Sequence, residues 1–156
     1  MSIANESRQT EQFTALTADD VLTSTGAAAV IFDVLQPITV LRVGVLVTVA
    51  VVAKTTVPVV RFDKYVTPDS ATSKILGLNG TTAVDGDAIV TVPDGTAIGE
   101  IVYADVRIDM DPGTQIVPFV KTACSGANQA GSARYYFEYI NRHETPDNIS
   151  NMIESA

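Results

Sequence analysis

The sequence predicts an all-β chain: a single antiparallel β-sandwich, jelly-roll-like, with a polar N-terminal arm and a short C-terminal tail. Three observations carry that expectation. Residues 38–53, ITVLRVGVLVTVAVVA, hold seven valines, and Val43, Val45, Val47, Val49 and Val51 alternate strictly, so an extended segment gains one wholly branched apolar face. Turn chemistry recurs at short intervals, at Gln36-Pro37, Asn79-Gly80, Asp85-Gly86, Pro93-Asp94-Gly95, Asp111-Pro112-Gly113 and residues 125–132. No stretch carries a long helical period, which disfavours a doubly wound fold, since its parallel strands need crossovers that are usually helical.

Taken in order, residues 2–20 offer only Ile3, Phe13 and Leu16 as sizeable apolar groups among Asn, Glu, Ser, Arg, Gln and Thr. Residues 1–26 are therefore expected as an arm, either a disordered terminus or a segment that orders against a neighbouring subunit. Residues 17–22, TADDVL, could add a helical turn. The sandwich is expected over 27–141, with strands at 28–35, 38–53, 57–63, 88–92, 99–108, 115–122 and 133–141. The long second strand is expected to bend or bulge near Gly44, where the missing side chain relaxes the backbone. Residues 69–78, DSATSKILGL, could start a short helix capped by Asp69 or Ser70, stopped by Gly77 and Asn79-Gly80. Residues 142–156 are expected as a tail, and no internal repeat is visible.

Composition narrows the function classes. A chain of 156 residues with 46% apolar content can fill one core. The net charge of −8 favours solubility and argues against a partner held through phosphates, so nucleic acid is not expected. Cys124 is the only cysteine, which leaves no internal disulfide and no multi-thiolate metal site, and suits synthesis in a reducing compartment. The longest uncharged apolar run lies between Arg42 and Lys54 and falls well short of the roughly 20 residues of a spanning helix, so no membrane partner is expected. The polar opening residues show no apolar core of a secretory signal.

Candidate chemistry is sparse. Asp85, Asp87, Asp94, Asp109 and Asp111 could gather oxygen ligands around calcium if their loops met, although Asp-Gly pairs are already explained as turns. His143, the sole histidine, lies in the tail beside Arg142 and Glu144, a solvated setting for a catalytic base. Cys124 precedes a glycine-rich loop without a supporting nucleophile motif. That loop, with Gly126 and Gly131, lacks the strand-to-helix setting and the lysine of a phosphate-binding loop. Glu100 and Glu138 each stand alone, without the partner that paired-carboxylate chemistry needs. No catalytic, cofactor-binding or metal-ligating residue is therefore assigned, and no enzyme and no cofactor is expected. In RYYFEY, Tyr135, Phe137 and Tyr139 share one strand face and Tyr136 and Glu138 the other, so aromatic groups face both a core and a surface.

The segments VIFDVLQPITVLRVGVLVTVAV and PGTQIVPFVKTACSGANQAGSARYYFEYI together resemble the capsid decoration, or cement, proteins of tailed bacteriophages. Phe32 and Val34, Val43-Gly44-Val45, Pro112-Gly113 and Tyr136 to Tyr139 carry the likeness, which spans about residues 27–141. The resemblance implies a non-enzymatic structural protein, made in the host cytoplasm and located on the capsid exterior. Its implied partner is the major capsid protein, and a homotrimer is favoured. Interface candidates are then Ile3, Phe13 and Leu16 in the arm, Tyr135, Tyr136 and Tyr139 in the last strand, and Ile149, Met152 and Ile153 in the tail. The alternative is a carbohydrate-binding or adhesin-type sandwich, with Tyr103, Tyr135, Tyr136 and Tyr139 as stacking residues. A small hydrolase is the least favoured class.

Overall fold

A computed structural model of the chain describes residues 12–27, 32–65, 74–75 and 89–142. They form ten strands: β1 (Gln12–Val21), β2 (Gly26–Ala27), β3 (Phe32–Asp33), β4 (Ile38–Val52), β5 (Val59–Tyr65), β6 (Lys74–Ile75), β7 (Ile89–Thr91), β8 (Ile101–Met110), β9 (Gln115–Thr122) and β10 (Ala130–Asn141). Among the described residues there is no helix, and hence none long and apolar enough to cross a membrane.

All pairings are antiparallel. The front sheet has the order β1-β10-β4-β8, and the back sheet the order β2-β9-β5-β6, with β3 also on β9 and β7 also on β5. Reading β2 with β3 as one interrupted strand, and β6 with β7 as another, leaves eight strands in the winding order of a jelly roll. The expected fold class is the one observed.

The core lies between the sheets. β4 contributes Val40, Val43, Val45 and Val47, β5 contributes Val60 and Phe62, and β10 contributes Ala133, Tyr135 and Phe137. Phe62 meets the rings of Tyr135 and Phe137 edge-on, with centroids 6.1 Å and 5.7 Å apart. Phe32 closes the same layer by stacking on Phe137 at 5.2 Å. Edge-to-face and offset contacts suit the ring quadrupoles, and these residues join the two sheets.

Five expectations are corrected. The arm reading fails for Gln12–Val21, which is an edge strand of the front sheet running along β10. No helical turn forms at 17–22; there the strand bulges between Leu16 and Asp19, and the Thr17 hydroxyl accepts the Tyr135 backbone N–H at 2.9 Å. Modest local propensity is outweighed by the ladder to β10 on both sides of the bulge and by Phe13 stacking on Tyr139. In the segment expected as a short helix, Lys74–Ile75 is strand, pairing with Asp63 and Lys64, while its remaining positions lie outside the described residues.

The fourth correction concerns β4. Val49 is exposed although Val47 and Val51 are buried, because the register against β10 shifts on either side of Ser132. The fifth concerns its bulge, which sits at Leu41: that residue is extra against β10, and on the other side it faces both Val106 and Arg107 of β8. Gly44 serves close approach instead. A Cβ there would stand 2.5 Å from the Val102 carbonyl oxygen and 2.9 Å from Tyr103 Cα.

Candidate functional site

Alternation along β1, β10, β4 and β8 turns one set of side chains into the core and the other onto the outer face of the front sheet. Register aligns that outer face in rows. Leu16, Tyr136, Gly44 and Tyr103 form one row across all four strands. Beside it run Thr14, Glu138, Arg42 and Asp105 on one side, and Asp19, Arg134, Leu46 and Ile101 on the other.

The first row is apolar and aromatic. Leu16 and Tyr103 are each about half exposed, and Ile101 in the neighbouring row nearly so. Arg42 ties the rows together: its guanidinium lies 3.7 Å from the centre of the Tyr103 ring, pairs with Asp105 at 2.8 Å and reaches Glu138 at 3.5 Å. The Tyr136 hydroxyl donates to Glu138 Oε1. Desolvation, with Glu138 adding to it, pushes that hydroxyl above its ordinary pKa, so it remains a donor at neutral pH. In the third row Arg134 lies 3.8 Å from Asp19, which also accepts the Thr48 hydroxyl at 2.7 Å. The face is thus an apolar row flanked on one side by paired charges and on the other by the pair of Asp19 and Arg134 with Leu46 and Ile101.

Both edges of this sheet are unsuited to adding another strand. β1 carries its bulge and the acidic pair Asp19 and Asp20, while β8 carries the irregular step at Val106 and Arg107 between Asp105 and Asp109. Bulges and charges are the usual protection of exposed edges. Recognition at the front sheet therefore falls to its face.

The interface candidates divide accordingly. Leu16 and Tyr136 meet on the outer face. Tyr135 is fully buried in the core, and its role is a correction to the surface reading; Phe13 and Tyr139 also point inward and stack with centroids 5.5 Å apart. Ile3, Ile149, Met152 and Ile153 lie outside the described residues. Arg42, Leu46 and Ile101 were not singled out from sequence; the signal was the odd parity of Ile101, Tyr103 and Asp105 opposite Gly44, but only register shows which residues share a row.

Other candidate chemistry does not converge. Asp94 is held by Lys54 at 2.7 Å and by the Ala53 N–H at 2.8 Å, near the end of β4. Asp109 and Asp111 lie by its start, accepting from the Thr39 hydroxyl at 2.6 Å and from Arg142 at 2.6 Å respectively. Asp85, Asp87 and His143 lie outside the described residues. Among the described residues, no three of His, Cys, Asp and Glu gather as metal ligands. Cys124 is buried, its thiol directed at the Ala130 carbonyl oxygen at 3.6 Å, and desolvation raises its pKa away from the reactive thiolate. Asp63 is a buried carboxylate paired with Arg61 at 3.1 Å; burial pushes its pKa up against the pull of that guanidinium. Glu100 accepts the Ala97 N–H at 3.0 Å in a turn.

A cleft of about 410 Å³ opens at the end of the sandwich, lined by residues 32–36, Ile38 and Tyr139. Two of its polar side chains are engaged, Asp33 by Gln115 at 2.7 Å and Gln36 by Asn141 at 2.9 Å. No family model matches the chain, and no curated protein and no solved structure matches it either.

Proposed function

We propose that this chain is a structural virion protein that binds the outer surface of a tailed-phage capsid and stabilises contacts between major capsid subunits. The observation that carries the reading is apolar surface displayed away from the core on a rigid two-sheet frame. Leu35, 86% exposed, stands in the β3–β4 turn at one pole, and Ile98, 68% exposed, in the β7–β8 turn at the other. Apolar side chains concentrated at poles and on one face suit adhesion to another protein. Jelly rolls recur in viral capsid and lectin domains, which is support by analogy of fold alone. A protein that binds only the assembled shell stabilises it by mass action. The acidic net charge suits a solvated coat with no affinity for DNA.

The test is addition of the purified chain to expanded capsids that lack it. Saturable binding with a rise in the temperature of capsid disruption supports the role. Absence of both removes it.

A second reading, carbohydrate binding, draws on Tyr103 and Tyr136, which share one row of the outer face two strands apart. A glycan array separates the two, since stacking on these rings would give retained sugars lost in Tyr103→Ala.

A further inference from the structure

The front face has a property that its rows make visible: the apolar row and the row of Glu138 and Arg42 are each complementary to themselves. A two-fold axis lying in the plane of the face, parallel to the strands and midway between β10 and β4, carries β1 over β8 and β10 over β4 while keeping every row in place. Leu16 then meets the partner's Tyr103, Tyr136 covers the position of the partner's Gly44, and Glu138 faces the partner's Arg42, while in the third row Asp19 lies over the partner's Ile101 and Arg134 over the partner's Leu46. Each of these contacts occurs twice, as an isologous interface requires.

We infer that the outer face of β1, β10, β4 and β8 is the contact between two copies of this chain, packed sheet on sheet about that axis. Charge selects a second copy as the occupant. The molecule as a whole carries −8, so two copies repel unless they meet where charge is balanced. The outer face comes within one charge of that, with Asp19, Asp105, Asp109 and Glu138 set against Arg42, Arg107 and Arg134. It holds three of the six arginines and none of the four lysines, the interface preference among basic residues. Four strands at about 4.8 Å spacing and about eight residues at 3.3 Å present roughly 500 Å² each, so a pair covers on the order of 1,000 Å², the threshold for a specific contact. Aligned packing at about 30° between the sheets preserves the central rows best.

This contact rests on the register of the front sheet and not on the capsid reading, so the two fail separately. It favours a pair over the trimer that the resemblance implies. The test is light scattering on the full chain at concentrations up to about 100 μM, since area alone does not set affinity. The expected mass is twice 16.5 kDa. Leu16→Glu, at an exposed position, should return the monomer with an unchanged circular dichroism spectrum. Arg42→Glu and Glu138→Arg should each weaken pairing at least about tenfold, by setting like charges opposite. Mixed in equal amounts, the two charge variants should recover pairs containing one of each. In such a pair Glu138 of the first variant faces Arg42 of the second, and the two substituted positions face each other with opposite charges. A monomeric or trimeric native chain, a pair indifferent to Leu16→Glu, or charge variants that fail to combine would overturn the inference. So would a monomer that retains sugars on the same face.

Discussion

Val47 and Val49 lie two residues apart on β4, yet one is 1% exposed and the other 45%. Ser132 of β10 pairs with Val49 while the adjacent Ala133 pairs with Val47, so β4 gains a residue, Thr48, between them and rotates the next valine out of the core. Val47→Ala is expected to cost about 2 kcal/mol, through two lost methyl groups and the space they leave. Val49→Ala should change stability by less than about 0.5 kcal/mol. Urea unfolding of the two variants measures the difference, and equal losses would show an unbroken alternation.

Gly44 permits the approach of β8. A methyl group there meets backbone at 2.5 Å and 2.9 Å, which no rotamer change relieves. Gly44→Ala should lose about 1–3 kcal/mol and speed amide exchange across Ile101–Met110 more than across Gln115–Thr122. Uniform exchange in the two strands would contradict a local clash.

Legibility followed how much each element depends on itself. Gln115–Thr122 was bounded correctly from sequence because the Pro112-Gly113 turn starts it and its apolar content needs no neighbour to be read. β4 was legible as a strand but not in its facing, since the shifts at Leu41 and Thr48 come from strands far away in the chain. β1 was read as an arm because an edge strand with only Phe13 and Leu16 has little local signal; its ladder to β10 supplies the rest. In the candidate site, Leu16 and Tyr136 could be named as surface groups. Their alignment with Tyr103, and the guanidinium of Arg42 over that ring, is a property of register and had no trace in any one segment.

Asp94 links the Pro93-Asp94-Gly95 turn to the end of β4. The hydrogen bond from Lys54, followed by the one from the Ala53 N–H, holds its carboxyl below the ordinary value of 3.8. A carboxyl with a lowered folded pKa contributes stability at pH values above the unfolded one and loses it as pH falls through the folded one. Asp94→Asn should therefore be less stable than the native chain at pH 7, with the gap closing as pH drops below about 3.8. Thermal melts across that range check it, and a gap that stayed constant would show the charge to be irrelevant.

Tyr135 works in the opposite direction at the other end of the scale. Its ring fills the core between β4 and Phe62, while its hydroxyl donates to Asp20 Oδ2 at 2.7 Å and so pins β1 to β10 beyond their ladder. Desolvation first, and Asp20 second, push the phenol far above its ordinary value of 10.0. A group whose folded pKa is raised contributes stability that is full below the unfolded pKa and lost as pH rises past it, because the unfolded chain releases the proton first. Tyr135→Phe should cost about 1.5–3 kcal/mol at pH 7, the worth of one hydrogen bond to a charged group. Its stability should also fall less steeply than that of the native chain above pH 10. Ultraviolet titration gives an independent reading: the native chain and Tyr135→Phe should release the same number of phenolic protons before unfolding, since Tyr135 releases none while folded. One fewer proton in the variant would mean that the hydroxyl is open to solvent and that β1 is not held by it.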